Sequence, residues 1–276
     1  ELLSKAARPY DKNTVPANYQ RPKVKDMFAA IFGNDQMRVY MLYQIVTQTG
    51  NNIVSGMAMY YWLLVMNRYS MQSVSSGIST CLAFVFSLFI PKIGKKLGKK
   101  KSLIVSIVFF TLGSKVIMYF LALKSTWWMT FATCYASAGM YLVSGFGVNY
   151  YLDIGEYGYY KTGKDFRTLS MSMSNIPMKV SMAIGGALSG YVLAWIGFDD
   201  VNAAFRAGTL DVNSEAFKSF SKSFMAIYTI VPSVTTILAL LIFKFGYKIT
   251  DEEAKFYAAE NAKRKAAEMA AAAEQK

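Results

Sequence analysis

The chemistry open to this chain rests on a few polar side chains that stand inside long apolar runs. Lys179 is the eleventh residue of a run that begins at Leu169, with Ser172 and Asn175 on the same helical face, Ser174 beside them and Pro177 two residues away. At 1.5 Å per helical residue it lies about 15 Å deep, near the middle of a bilayer. An ammonium at that depth is costly and is characteristic of a substrate or ion path, so Lys179 is expected to line a transport pathway rather than a structural ion pair. Lys115, thirteen residues into the run from Leu103, is nearer the outer face and is divided between snorkelling and packing. A third group, Gln44, Gln48, Asn51, Asn52 and Ser55, recurs at three-to-four spacing and forms one helical strip of amides and hydroxyls. Such a strip suits sugar hydroxyls, and the same residue types also serve hydrogen bonds between packed helices.

Absent residue types narrow the chemistry further. The chain has no histidine, which excludes His-based catalysis, proton relays and metal sites. Cys81 and Cys134 both fall in apolar runs, where a disulfide framework is implausible. All 17 Asp and Glu residues lie outside the apolar runs. Neither intramembrane lysine therefore has an intramembrane carboxylate in this chain, and no complete Na⁺, H⁺ or metal site is expected in it. With no intramembrane acid and no histidine to supply general acid-base chemistry, an enzyme is not expected.

These residues must be positioned by membrane helices. At 276 residues, 54% hydrophobic, 17% charged and with a mean hydropathy of +0.25, the chain is more apolar than a soluble domain of this size can bury. Six runs of spanning length are predicted at about 39–66, 71–90, 103–123, 127–150, 169–196 and 224–243. They are too long and continuous for the alternating strands of a barrel, so the fold class is an all-α membrane protein with six transmembrane helices. Residues 37–245 would form the bundle, 1–36 a linker with a short interfacial helix, and 246–276 a helical tail. Gly186 and Gly190, four apart, are expected to permit close helix packing.

Charge sets the predicted orientation. Of the 30 basic residues, 23 precede the first run, lie between the second and third or the fourth and fifth, or follow the last, against five on the alternate side. Both termini are therefore expected in the cytoplasm, in a multi-pass protein of the cell membrane. The net charge of +13 then reflects topology and attraction to anionic membrane lipid, and no nucleic-acid partner is expected. Val24, Met27, Phe28, Ile31 and Phe32 share one face beside Lys23 and Lys25, which predicts a helix lying on the membrane surface. Thr250 and Glu253 form a capping-box pattern ahead of an Ala-, Glu- and Lys-rich stretch, expected to be a solvated helix. The 197–222 loop is long and acidic, and nothing in its sequence accounts for it.

The run Asp153-Ile154-Gly155-Glu156-Tyr157-Gly158-Tyr159-Tyr160-Lys161-Thr162-Gly163-Lys164, the later Lys179 with its glycines, and the six-lysine loop at 92–101 together carry a resemblance. The sequence resembles the C-terminal six-helix half of the glycoside-pentoside-hexuronide:cation symporters, the melibiose carrier family of the major facilitator superfamily. The resemblance implies a twelve-helix symporter that moves a sugar or glycoside with Na⁺, H⁺ or Li⁺ by rocking two bundles around a central site. It implies no cofactor beyond the coupling cation, whose site would lie mainly in a missing N-terminal half. Lys179 would line the cavity, Ser174 and Asn175 would approach the sugar, and Gln48, Asn52, Asn149 and Tyr141 would complete this half's contribution. Asp153, Glu156, Lys161 and Arg167 would form a cytoplasmic gate network.

Two departures stand out. Asp165 occupies a place where the family carries Arg, and no Trp lies between Trp128 and Trp195 to stack on a sugar, leaving Tyr141 or Tyr150. Two other readings stay open: the same fold carrying a lysolipid-like amphiphile, or a half-size scaffold or sensor that does not transport.

Overall fold

A computed structural model describes residues 24–89, 92, 96–163, 165 and 167–274, and the linker at 1–23 lies outside them. The helices are α1 (Val24–Gly33), α2 (Asp35–Tyr60), α3 (Ser70–Ser87), α4 (Lys99–Leu121), α5 (Thr126–Thr162), α6 (Arg167–Ser172), α7 (Asn175–Trp195), α8 (Phe198–Arg206), α9 (Glu215–Gly246) and α10 (Asp251–Glu274). No strand occurs among the described residues. Helix starts follow side-chain capping: Asn34 Oδ1 accepts the backbone N–H groups of Gln36 and Met37, and Ser214 Oγ accepts that of Phe217. Gly163, at φ 72°, closes α5 in the left-handed conformation that glycine adopts without penalty.

Each of the six predicted spans is largely helical among the described residues, the fifth being divided between α6 and α7. Three, in α4, Ser170–Trp195 and α9, are long and apolar enough to cross a membrane by length and composition. In α2, α3 and α5, polar residues such as Gln44 to Ser55 and the serines of α3 dilute the same signal. Boundaries shift where tertiary packing extends a helix. α5 continues to Thr162, twelve residues past its expected end at 150, and α9 begins at Glu215 rather than 224. The fifth span breaks at Met173 and Ser174, because Pro177 has no N–H to offer the carbonyl of Met173. Ile176 donates to that carbonyl instead, over 3.1 Å, closing a tighter turn.

Contacts between the six longest spanning-region helices form an open arc, α7 on α2, α2 on α9, α9 on α4, α4 on α5 and α5 on α3. Contact is close where side chains are small. A Cβ on Gly185 would stand 2.6 Å from Asn52 Cβ and 3.0 Å from the carbonyl oxygen of Thr49, and one on Gly50 would overlap Thr235 Oγ1. Among the described residues nothing lies within 4 Å of a Cβ on Gly186 or Gly190, so the expectation that these two permit helix packing is corrected: Gly185, one residue away, lies on the face that meets α2. The buried stripe of α3 is Ser75, Ser79 and Ala83, at i, i+4 and i+8.

Two apolar clusters close the bundle. The one at the basic end gathers Met37, Tyr40, Tyr150, Tyr151, Phe243 and Tyr247; the other holds Met57, Tyr61, Trp62, Phe217 and Phe224. α8 supplies the account that the 197–222 sequence lacked: Phe198, Val201 and Phe205 pack onto the second cluster while Asp199 and Asp200 begin the helix. α1 forms as predicted, with Phe28 and Phe32 exposed and stacked at 6.2 Å; the side chains of Val24, Met27 and Ile31 lie outside the described residues.

The terminal helix departs from a solvated tail. The capping box forms, with Glu253 N–H on Thr250 Oγ1 at 3.2 Å and Thr250 N–H on Glu253 Oε2 at 2.8 Å. α10 then packs on the extension of α5, burying Ala254 and Asn261 and setting Tyr257 against the rings of Tyr157 and Tyr160.

Two outcomes follow for thermal unfolding in detergent. Gly185→Val destabilises the chain by about 1–3 kcal/mol through overpacking, whereas Gly186→Val stays within about 0.5 kcal/mol. Asn261→Ala removes the donor that Glu156 Oε2 and the Glu156 carbonyl receive from α10, costs about 1–3 kcal/mol, and makes α10 the first segment removed by limited proteolysis. Equal melting of the two glycine variants, or unchanged protease resistance of Asn261→Ala, would contradict this packing.

Candidate functional site

On α7 the residues Pro177, Ser181, Gly185 and Leu193 are buried, and Gly185 identifies that face as the one against α2. Lys179 is two residues from both Pro177 and Ser181, a rotation of about 200° at 3.6 residues per turn, so it points away from α2. Ser172, Asn175 and Lys179 are all exposed, and with Gly186 and Gly190 they form a continuous open strip along the last helix of the arc. Among the described residues, Lys179 meets no carboxylate within ion-pair distance. Ser174 sits half-buried in the turn between α6 and α7.

The amide strip of α2 is divided among its neighbours. Gln44 Oε1 accepts the Tyr151 hydroxyl at 2.6 Å, Asn52 Nδ2 donates to Ser181 Oγ at 3.2 Å, and Ser55 Oγ donates to the carbonyl of Asn51 at 3.0 Å. Gln48 and Asn51 are half-buried beside them. The structure thus brings Asn52 to α7, but on the face opposite Lys179. Asn149 and Tyr141 are exposed on α5. Tyr150, offered by the sequence as a second stacking residue, is buried among Tyr40, Phe243 and Tyr247 at ring distances of 5.2, 5.4 and 5.3 Å. That alternative is corrected: of the two, Tyr141 is the exposed one.

The residues expected to form a gate lie together at the basic end, in three separate clusters of ion pairs and hydrogen bonds along α5. Lys99 Nζ pairs with Asp153 and lies 3.6 Å from Asp251 Oδ1, while the Lys99 N–H donates to Asp251 Oδ2 at 3.0 Å. Burial, opposed by Lys99, holds the Asp153 carboxyl above the usual carboxylate range. Arg167 bridges Glu156, at 3.1 Å, and Asp165, at 2.8 Å from Nε and 2.5 Å from Nη2. Asp165 raises the Arg167 guanidinium further, and Arg167 in turn lowers the Asp165 carboxyl. The family departure at position 165 therefore acts as a local clamp on Arg167. The guanidinium also stands 4.9 Å above the Tyr159 ring. Lys161 Nζ donates to the Tyr157 hydroxyl at 2.9 Å and lies 3.8 Å from Asp35 Oδ1, and that hydroxyl donates to Asp35 at 2.8 Å.

Asn261 joins the Arg167 cluster, donating from Nδ2 to the Glu156 carbonyl at 2.8 Å and to its Oε2 at 2.7 Å. Asn34, besides capping α2, donates to the carbonyl of Ile154 at 3.0 Å. Sequence reasoning missed Asn34, Asp35, Lys99, Asp251 and Asn261. Their signals were present as a capping residue, a basic loop and one amide in an Ala-rich helix, but their partners lie 54 to 152 residues away. The result is that α2, α5, α6, α10 and the 96–100 segment are fastened together at one end.

Comparison with known proteins agrees with this architecture. The family described as MFS/sugar transport protein matches residues 2–251. The chain is 25% identical over 252 residues to a putative sulfoquinovose importer of Salmonella typhimurium, an alignment covering 91% of this chain and 50% of that protein. It is 24% identical over 245 residues to an uncharacterized symporter of Bacillus subtilis, covering 89% and 50%, and 22% identical over 241 residues to a lactose permease of Leuconostoc lactis, covering 85% and 35%. The chain spans about half the length, or less, of these curated relatives. With a match running through all six long helices and into the start of α10, the chain belongs to the MFS/sugar transport protein family, whose members are membrane transporters.

Proposed function

We propose that this chain acts as the C-terminal half of a secondary transporter of the glycoside-pentoside-hexuronide:cation type, moving a sugar or glycoside together with Na⁺, H⁺ or Li⁺ by alternating access. The observation that carries this reading is the open Ser172–Asn175–Lys179 strip, in a helix apolar enough to span and in a chain of a sugar-transport family. A bare ammonium in a spanning helix is costly unless a pathway or a partner's charge meets it. Both end helices of the arc also present exposed apolar faces, including Val74, Ile78 and Leu82 on α3 and Met182, Ile184 and Leu188 on α7. An N-terminal six-helix half would cover part of these faces and supply the cation site. Both termini would then lie in the cytoplasm of a cell-membrane protein, with the basic-end network bracing the inner gate.

One observation favours an anionic sugar over a neutral one. Lys179 has no carboxylate neighbour among the described residues, and relatives of this chain include a putative sulfoquinovose importer and a putative 2,3-dihydroxypropane-1-sulfonate exporter. A sulfonate would give the ammonium a counter-charge that travels with the cargo.

Counterflow of labelled sugars in vesicles tests both statements, using the chain co-expressed with a candidate N-terminal half, with and without Na⁺. Cation-dependent uptake is expected only in the co-expressed sample. Lys179→Ala is expected to lower accumulation at least about tenfold with insertion intact, as loss of a charged hydrogen bond of roughly 1.5–3 kcal/mol implies. Normal accumulation by that variant would remove Lys179 from the site, and better competition by neutral than by sulfonated sugars would remove the anionic reading.

A further inference from the structure

A second intramembrane lysine lies on another part of the bundle. Lys115 is on α4, six residues before its end at Leu121, about 9 Å along the axis. Beyond that end stand Lys124, Trp127 and Trp128, the residue types that mark a membrane boundary. The ammonium is 5.7 Å from the centre of the Tyr228 ring on α9, at the head of a groove of about 240 Å³ between α4 and α9. Among the described residues no carboxylate lies within ion-pair distance of it.

The groove faces out of the bundle. Its rims, Val116, Tyr119, Phe120, Ile230 and Val234, are exposed, and exposed apolar residues continue along α9 through Ile237, Leu238 and Leu241. From Thr229 to Leu241 that track is about 18 Å long, enough to carry an acyl chain. Thr229 and Ser233 also line the groove, but their hydroxyls donate to the carbonyls of Met225 and Thr229, at 2.7 and 2.6 Å. Lys115 and the Tyr119 hydroxyl on the rim are thus the donors left to meet a ligand, and Lys115 offers the point charge.

We propose that this groove binds one acidic phospholipid, its phosphate on Lys115 and an acyl chain along the exposed face of α9. The shape of the site, one cation above an apolar track open to the bilayer, is complementary to an anionic amphiphile. The lipid supplies the counter-charge that this chain withholds, and it fills the seam between two helices that make direct contact beneath it. The site is separate from the Lys179 strip and does not depend on what is transported.

The test is native mass spectrometry of the chain extracted in mild detergent with equal phosphatidylglycerol and phosphatidylcholine. The wild type is expected to retain one phosphatidylglycerol in preference to phosphatidylcholine. Lys115→Met should lower that retention at least about fivefold, since one lysine near a membrane surface has an effect of that order, while Lys115→Arg keeps it. Lys92→Gln with Lys96→Gln, in the exposed basic loop, sets the nonspecific contribution. Helical content by circular dichroism shows that each variant is folded, and Lys115→Arg carries the test if Lys115→Met is not. Equal retention of both lipids by the wild type, unchanged retention in folded Lys115→Met, or a loss no larger than that of the basic-loop variant would overturn the proposal.

Discussion

The close approach of α2 to two neighbours at once is the constraint on which the arc depends. α2 meets α9 where Gly50 would otherwise overlap Thr235, and α7 where Gly185 lies over Asn52 and Thr49. Within a membrane there is little hydrophobic drive to bring helices together, so van der Waals contact between backbones has to supply it, and small residues permit that contact. Once α7 is pinned through Gly185, the helical rotation is settled: Ser181 reaches Asn52, and Lys179 must point the other way. The open polar strip is therefore a consequence of one glycine on the opposite face.

At the basic end a different physics takes over. There the chain leaves hydrocarbon, and charges replace small residues as the connectors. Lys99, Arg167 and Asn261 each hold at least two groups, and the carboxylates they hold belong to α5, α10 and the segment before α6. Individually, partly exposed ion pairs contribute little. Their effect here is positional, because the shared partners make the α5 extension, α6 and α10 dependent on one another. Beneath them, Tyr40, Tyr150, Phe243 and Tyr247 pack edge-to-face and stacked, giving the end of the bundle a rigid aromatic floor. A helix bundle with a braced end and two apolar flanks suits the rigid-body motion that the proposed function requires.

The two intramembrane lysines show how the same residue type acquires different surroundings. Lys179 stands on the open strip of α7, at the end of the arc. Lys115 stands in a seam on the outside of α4 and α9, with a tyrosine face below it and apolar rims around it. Neither location follows from depth, which was all that hydropathy could provide.

Much of the fold was legible because the bilayer imposes a simple code. Apolar length marks where helices run, intramembrane polar residues are rare enough to notice, and the Thr250–Glu253 capping box is a local signal read correctly from four residues. The family resemblance rested on equally local runs, and the match over residues 2–251 bears it out at the level of the MFS/sugar transport family. What the sequence by itself determined was therefore composition along the chain: which segments are helical and apolar, and which polar residues sit inside them. Tertiary structure alone decided direction and partnership. It moved the packing role from Gly186 and Gly190 to Gly185, buried Tyr150, and turned the tail into a docked helix through Asn261. The physical reason is that a helix face is defined only by what packs on it, and those neighbours come from residues a hundred or more positions away.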